Sequence, residues 1–206
     1  MNYNYYITDV FTEQPFHGVP VPVFTDASTL TDKQMQQIAS ELNASCTVFL
    51  LPTDKENTRE IKTFSKLEEM PTSSHSILAA SFVLAKTEQV ALSEQHTLIS
   101  LTSTWGKNTQ TINTYVSKNA HGQASLVQQT YDTHTAIDYY TPTTEELAAM
   151  LSLSPADIGF ESYRPLIVSC GVPYLIVPIM SYNAIRDAKF NEAAWSNSSA
   201  TSSLAQ

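Results

Sequence analysis

Polar and apolar residues recur along this chain with the period of a helix in some stretches and of a strand in others, and one stretch shows no polar face at all. Within residues 77–85 only Ser81 is polar. No side of that segment suits water, and its length and lack of Gly and Pro predict a helix over 75–87 that is buried on all sides. Such a helix needs a shell, and the flanking patterns supply one. Residues 3–11 are aromatic and β-branched, a strand, and 12–18 hold turn residues. Val19–Phe24 is extended because each proline fixes its own φ and biases its predecessor toward β, and two prolines predict an edge or irregular strand. Thr31 and Asp32 cap an amphipathic helix in which Met35, Ile38, Ala39 and Leu42 recur at helical spacing, ending near Asn43. Residues 46–51 and 59–64 read as strands joined by the charged loop 54–57, a hairpin. After the apolar helix come strand candidates at 97–103, 109–116 and 124–129.

The second half opens on a helix over 143–151 with a capping-box start from Thr143 to Glu146. Residues 166–179 read as two strands broken at Gly171-Val172-Pro173, and 181–195 as one helix before a serine-rich tail. His17-Gly18-Val19-Pro20 aligns with Cys170-Gly171-Val172-Pro173 at an offset of 153 residues. In both places a turn leads to a Pro-bearing strand and then a helix, the pattern of an internal repeat, with a chance tripeptide match as the alternative. Strands, a greasy helix and strands again describe an α+β unit, a curled, mostly antiparallel sheet around a central helix. The expected architecture is therefore two pseudo-symmetric lobes, 1–130 and 131–206. The second lobe is expected to be incomplete, because nothing in 196–206 supplies its hairpin, central helix and closing strands.

Composition narrows the partners. The 206 residues carry a formal charge of −9, and no Lys/Arg cluster interrupts the acidic balance, which argues against nucleic acid or an anionic membrane as a partner. No run approaches the roughly 18 apolar residues of a membrane span, and the first residues lack the basic and apolar regions of a signal peptide, so a cytoplasmic location is expected. Cys46 and Cys170 are the two cysteines, too few for a disulfide scaffold and read as free thiols. His17, His96, His121 and His134 lie in separate turns and strands without metal-ligand spacing, and no metal site is expected. The five glycines form no phosphate-cradling loop, and no nucleophile elbow appears.

The candidate chemistry lies where the apolar helix begins. Pro71-Thr72-Ser73-Ser74-His75 places hydroxyls and an imidazole at a helix N-terminus, whose free N–H groups and positive dipole end favour an anion. The plainer reading makes Ser73 or Ser74 a cap and His75 a first-turn residue.

Taken together, Thr8-Asp9-Val10-Phe11 with Pro15, Gly18-Val-Pro-Val-Pro-Val-Phe24, Met35 with Glu41-Leu-Asn-Ala-Ser-Cys-Thr-Val-Phe49, Phe64 with Glu69-Met-Pro-Thr-Ser-Ser-His75, and Val168-Ser-Cys-Gly-Val-Pro-Tyr-Leu175 resemble the PhzF-like family. These are phenazine-biosynthesis isomerases that share the diaminopimelate-epimerase fold. The resemblance implies a cofactor-free enzyme, often homodimeric, that isomerises a small carboxylate by proton transfer in a cleft faced by two helix N-termini. A carboxylate takes the proton from carbon and helix N–H donors hold the substrate acid. It assigns catalysis to Cys46 and His75 and substrate binding to Val19, Ser73, Ser74, Cys170 and Gly171.

The departures fall on those positions. The family's general-base glutamate is Cys46 here, the asparagine of its Gly-Asn-Pro is Val19, and the glycine before the histidine is Ser74. The proline after that histidine is Ser76, the helix glycine is Ala79, and the threonine of its Ser-Thr-Gly turn is Cys170. The family's Asp-Pro-Ala-Thr-Gly-Ser motif is absent. An unperturbed thiol titrates near 8.5 and is mostly protonated at neutral pH, so Cys46 needs an activating partner such as His75, or else simply fills a vacated site. Three readings remain: an isomerase with impaired activity, an inactive protein that keeps the fold to bind a ligand or partner, and a fragment of a longer isomerase.

Overall fold

The computed structural model describes residues 3–93, 95–130, 135–169 and 173–199. It divides into two units, 1–130 and 131–206. In the first, Tyr5–Val10 (β1), Val19–Phe24 (β2), Thr47–Pro52 (β3), Thr58–Phe64 (β4), Glu69–Met70 (β5), His96–Trp105 (β6), Asn108–Lys118 (β7) and Ala124–Gln129 (β8) form one eight-stranded sheet. Its path is β1-β2-β3-β4-β6-β7-β8, with β5 attached to β4. The sheet is mixed, since β2 pairs with β3 and β4 with β6 in parallel, while the remaining pairs are antiparallel.

Two helices belong to this unit, Asp32–Leu42 (α1) and Ser74–Lys86 (α2). The sheet curls around α2, which is the all-apolar segment seen in the sequence, displaced by one residue from the expected bounds. Ile77, Ala79, Ala80, Ser81, Val83, Leu84 and Ala85 are all buried, and they share a core with Val21, Val23, Val48, Leu50, Ile61, Ile99, Leu101 and Val116. Complete burial of a side chain such as Leu84 contributes roughly 1.5–3 kcal/mol. Ser81, the single polar residue of the run, keeps its hydroxyl 2.8 Å from that of Thr114, which in turn donates to the Ile99 carbonyl. The buried polar group is thus satisfied inside the shell.

α1 covers the other face of β2, β3 and β4. Met35 and Ala39 pack with Phe24, Phe49 and Phe64, and Phe24 stacks on Tyr5 and Phe49 at centroid distances of 5.1 and 4.8 Å. Strands covered on both faces have no polar side, which is why β2 and β3 read as unbroken apolar runs. α1 has a Thr31 cap with a reciprocal Gln34 bond and ends at Asn43 in the left-handed conformation.

Of the two alternatives expected for β2, an edge or an irregular strand, the edge position does not hold, because β2 lies between β1 and β3. The reason is its short contact with β3. That pairing is confined to Val23 and Phe24, beyond both prolines, while Pro20 and Pro22 have only β1 beside them. The missing N–H groups therefore cost no ladder bond to β3.

In the second unit, Ala136–Asp138 (β9), Leu166–Ser169 (β10) and Pro173–Ile176 (β11) form an antiparallel sheet in the order β11-β10-β9. Thr144–Leu151 (α3) has the Thr143/Glu146 capping box expected from the sequence. Its Leu147 and Met150 pack against Ile158, Leu175, Val177 and Trp195. The single helix expected over 181–195 is instead two short ones, Tyr182–Asp187 (α4) and Glu192–Ser196 (α5). Between them Lys189 and Asn191 donate their N–H groups to the carbonyls of Leu151 and Met150, and the Asn191 side chain then caps α5. Tertiary hydrogen bonds outcompete continuation of the helix.

Both units contain an antiparallel hairpin followed by a capped helix, but the offset of 153 does not hold through them. Pro20 faces Asp9, whereas Pro173 faces Ser169 across a much shorter connection. No helix among the described residues is long and apolar enough to cross a membrane.

Candidate active site

The strand registers gather the first unit's candidate residues at one end of the sheet. β2 and β3 both begin there, β4, β1 and β6 end there, and α2 starts there. Val19 opens β2 opposite Val10, and Cys46 immediately precedes β3. Thr72 lies 2.6 Å from the Ser103 hydroxyl, which fixes the entry to α2 against β6. From the other face, Gln36 and Ser40 of α1 donate to the carbonyls of Ser65 and Lys66, so the turn leading to β5 and α2 is held as well.

At the helix N-terminus Ser76 Oγ accepts from the Ser73 N–H at 3.0 Å and donates to the Ser73 carbonyl at 2.7 Å. Ser73 Oγ is 3.1 Å from His75 Nδ1. The expected Ser73 cap is therefore shared: Ser76 bonds the backbone of residue 73, while the Ser73 hydroxyl orients the imidazole. Ser74 is the first residue of α2 and, like Ser73 and His75, is partly exposed. Burial holds the His75 pKa below the ordinary histidine value, so the ring is neutral at neutral pH and offers one donor and one acceptor.

Cys46 is fully buried among Val21, Val48, Ala79 and Ala80 in the core around α2. Desolvation pushes its thiol up to about 11, so it is protonated at neutral pH. The His75 ring bonds Ser73, and burial alone moves the Cys46 thiol. No thiolate–imidazolium pair forms between them in this structure.

Gly18 secures the loop before Val19. A Cβ there would lie 2.5 Å from the Val10 carbonyl oxygen and 2.6 Å from Thr12 Cγ2, and the Asp9 carboxylate accepts from the Phe16 N–H at 2.7 Å. Cys170 and Gly171 lie outside the described residues. Two polar atoms that sequence reasoning passed over are the hydroxyls of Thr47 and Thr63, buried without a hydrogen-bond partner among the described residues. Register places Thr63 on the α2-facing side of β4, opposite Val48. The visible signal at Thr47 was a threonine heading an otherwise apolar strand, whereas Thr63 follows the charged residues of β4 and carried none.

The described residues hold no group of three or more His, Cys, Asp or Glu side chains that could bind a metal. What the sheet end can offer a ligand is a set of neutral hydroxyls, a neutral imidazole and the positive end of the α2 dipole.

A curled sheet around a buried helix, with a second small antiparallel sheet, defines the class as the mixed α+β fold of PhzF proteins and related epimerases. The chain belongs to the phenazine biosynthesis-like protein (PhzC-PhzF) family, whose model matches residues 8–205. An uncharacterized isomerase of Mesorhizobium japonicum is 29% identical over 197 residues, covering 94% of this chain and 61% of the relative. A trans-2,3-dihydro-3-hydroxyanthranilate isomerase of Pseudomonas fluorescens is 38% identical over 82 residues, 40% of this chain and 30% of that protein. Among solved structures, a predicted epimerase of Pseudomonas aeruginosa superposes with a TM-score of 0.77 at 25% identity, over 99% of this chain and 67% of the other. The chain spans about 60% of the length of the curated relatives that it matches along nearly its whole extent.

Proposed function

We propose that this protein is a PhzF-type, cofactor-free isomerase in lineage, that it binds a small organic carboxylate at the N-terminus of α2, and that its proton transfer is impaired. The observation that carries the proposal is that Cys46, which the family resemblance sets in place of the general-base glutamate, is a fully buried thiol with a pKa near 11. A base must be unprotonated and within reach of the carbon acid. At pH 7 such a thiol is ionised in roughly one molecule in ten thousand. Ligand binding does not depend on that thiol. It draws on the helix N–H groups, on Ser73 and Ser74, and on the neutral His75, whose Nδ1 is held by Ser73.

Trans-2,3-dihydro-3-hydroxyanthranilate, named for the Pseudomonas relative, is a suitable probe. Wild-type protein incubated with it in deuterated water is expected to bind it, with perturbed backbone resonances at residues 73–76, and to place no solvent deuterium on carbon at pH 7. Cys46→Glu is expected to raise carbon–hydrogen exchange at least a hundredfold. Wild-type exchange that equals the variant's would overturn the impaired-base reading, and absence of any shift at 73–76 would remove the site.

A further inference from the structure

α2 is covered by the sheet except in its first turn and along Leu78, Phe82 and Lys86, which are spaced four apart and so share one side of the helix. At its last residue, about 18 Å along the axis from Ser74, the helix borders a depression of ≈ 510 Å³ that takes no part in the candidate active site. A volume of that order suits a small molecule. The walls are the last turn of α2, the connection 88–92, the end of β7, the hairpin after it and the first residue of β8.

Both walls are held in shape by hydrogen bonds of their own. The N–H groups of Gln89 and Val90 donate to the Leu84 carbonyl and that of Glu88 to the Ala85 carbonyl, which folds the connection back onto the helix end. On the other wall, Asn119 Oδ1 accepts from the N–H groups of His121 and Gln123 at 2.9 and 3.0 Å and fixes the hairpin between β7 and β8. The lining combines apolar surface with both signs of charge. Ala85, Val90 and Ala124, at 4, 2 and 6% exposure, belong to the core. Lys86 and Lys118 bring two positive charges and Glu88 one negative charge. Among the described residues the single ion pair is Lys62–Asp32, so none of these three is neutralised by a partner. In a chain of formal charge −9, a lining richer in lysine than in carboxylate is a local reversal. Glu88 and the negative end of the α2 dipole nevertheless oppose a simple anion, and the two lysines oppose a simple cation. A ligand that carries both charges close together on an apolar body satisfies every part of the lining.

We propose that this depression binds a free α-amino acid with an apolar side chain of the size of valine or leucine. The ligand's carboxylate lies between Lys86 and Lys118, its ammonium group faces Glu88 and the carbonyl end of α2, and its side chain covers Ala85, Val90 and Ala124. A peptide does not meet these requirements, because chain extension separates the two charges.

The test uses the full chain, isotope-labelled for NMR, with L-leucine as the probe. Saturable shifts are expected in the amides of residues 85–92 and 118–124, with half-saturation at about millimolar concentration, in keeping with so small a ligand. Isocaproate, which lacks the ammonium group, and isoamylamine, which lacks the carboxylate, are each expected to bind about fivefold more weakly. Lys86→Gln and Lys118→Gln, neither in the buried core, are each expected to weaken leucine about threefold. Glu88→Gln is expected to weaken leucine to a similar degree and to leave isocaproate no weaker. No saturation at tens of millimolar, equal binding of leucine and its two analogues, or leucine binding unchanged by the double substitution Lys86→Gln and Lys118→Gln would overturn the proposal. Shifts confined to residues 73–76 would also overturn it, by placing the amino acid at the other end of α2.

Discussion

The two units use the same local grammar and reach different degrees of burial. In the first, a hairpin and helix are followed by strands that wrap α2, so that β2 and β3 are covered on both faces and sixteen hydrophobic residues, from Val21 to Val116, lie at 0 or 1% exposure. In the second, Leu147 and Met150 anchor a small cluster on one side of the sheet. The register puts Ile137, Val168 and Tyr174 in one row and Leu166 and Ile176 in the next on the other side. Of these, Tyr174 is 60% exposed and Ile137 55%. What distinguishes the units is whether an apolar helix lies within the curl of the sheet. Patterning alone makes strands and caps, but a buried rod gives them a common core.

The comparison can be broken most directly at that rod. Leu84→Ala is expected to cost about 3–5 kcal/mol in urea unfolding monitored by circular dichroism, while Leu147→Ala in the smaller cluster is expected to cost less. Equal losses would mean that the second unit is as tightly packed as the first. Next in size is alkaline destabilisation through Cys46. Its thiol titrates in the ordinary thiol range, near 8.5, in the unfolded chain and near 11 when folded, so the folded state binds more protons between those values. Stability is therefore expected to fall by about 2–3 kcal/mol as pH rises from 9 to 11. Cys46→Ala should remove that slope without flattening whatever the lysines and tyrosines contribute.

Gly18→Ala is expected to cost about 1–3 kcal/mol through the contact with Val10, read as a lower urea midpoint at unchanged slope. A smaller effect comes from His75. Its folded pKa is depressed, so the unfolded chain binds more protons below the ordinary value of 6.5, and stability declines as pH falls through that value toward the folded pKa. His75→Gln should lose this component. Tyr174→Thr on the open face of the second unit is expected to change stability by no more than about 0.5 kcal/mol; a larger loss would show that the face is covered in solution.

Much of the fold was legible because its signals are local. The Thr31 and Thr143 caps, the hairpin between β3 and β4, and the fully apolar α2 each follow from a few neighbouring residues. The 181–195 helix was misread because the carbonyls that interrupt it belong to Leu151 and Met150, some forty residues earlier. β2 was read as an edge or irregular strand because proline reports a missing donor without reporting which neighbour needs one. At the candidate site, Ser73 and His75 could be named from their position before an apolar run, but their mutual hydrogen bond depends on rotamers that no pattern encodes.

The sequence by itself determined that a wholly apolar helix must be enclosed, that its polar Ser-Ser-His tip must remain near water, and that a cysteine, Cys46, opens the apolar run 46–51. Only the tertiary structure decided that this thiol is too deeply buried to ionise at neutral pH, and that the enclosing sheet leaves one stripe of the helix uncovered. Desolvation and closure are both set by residues distant in the chain. Each depends on which surfaces meet in space, information that composition and periodicity do not carry.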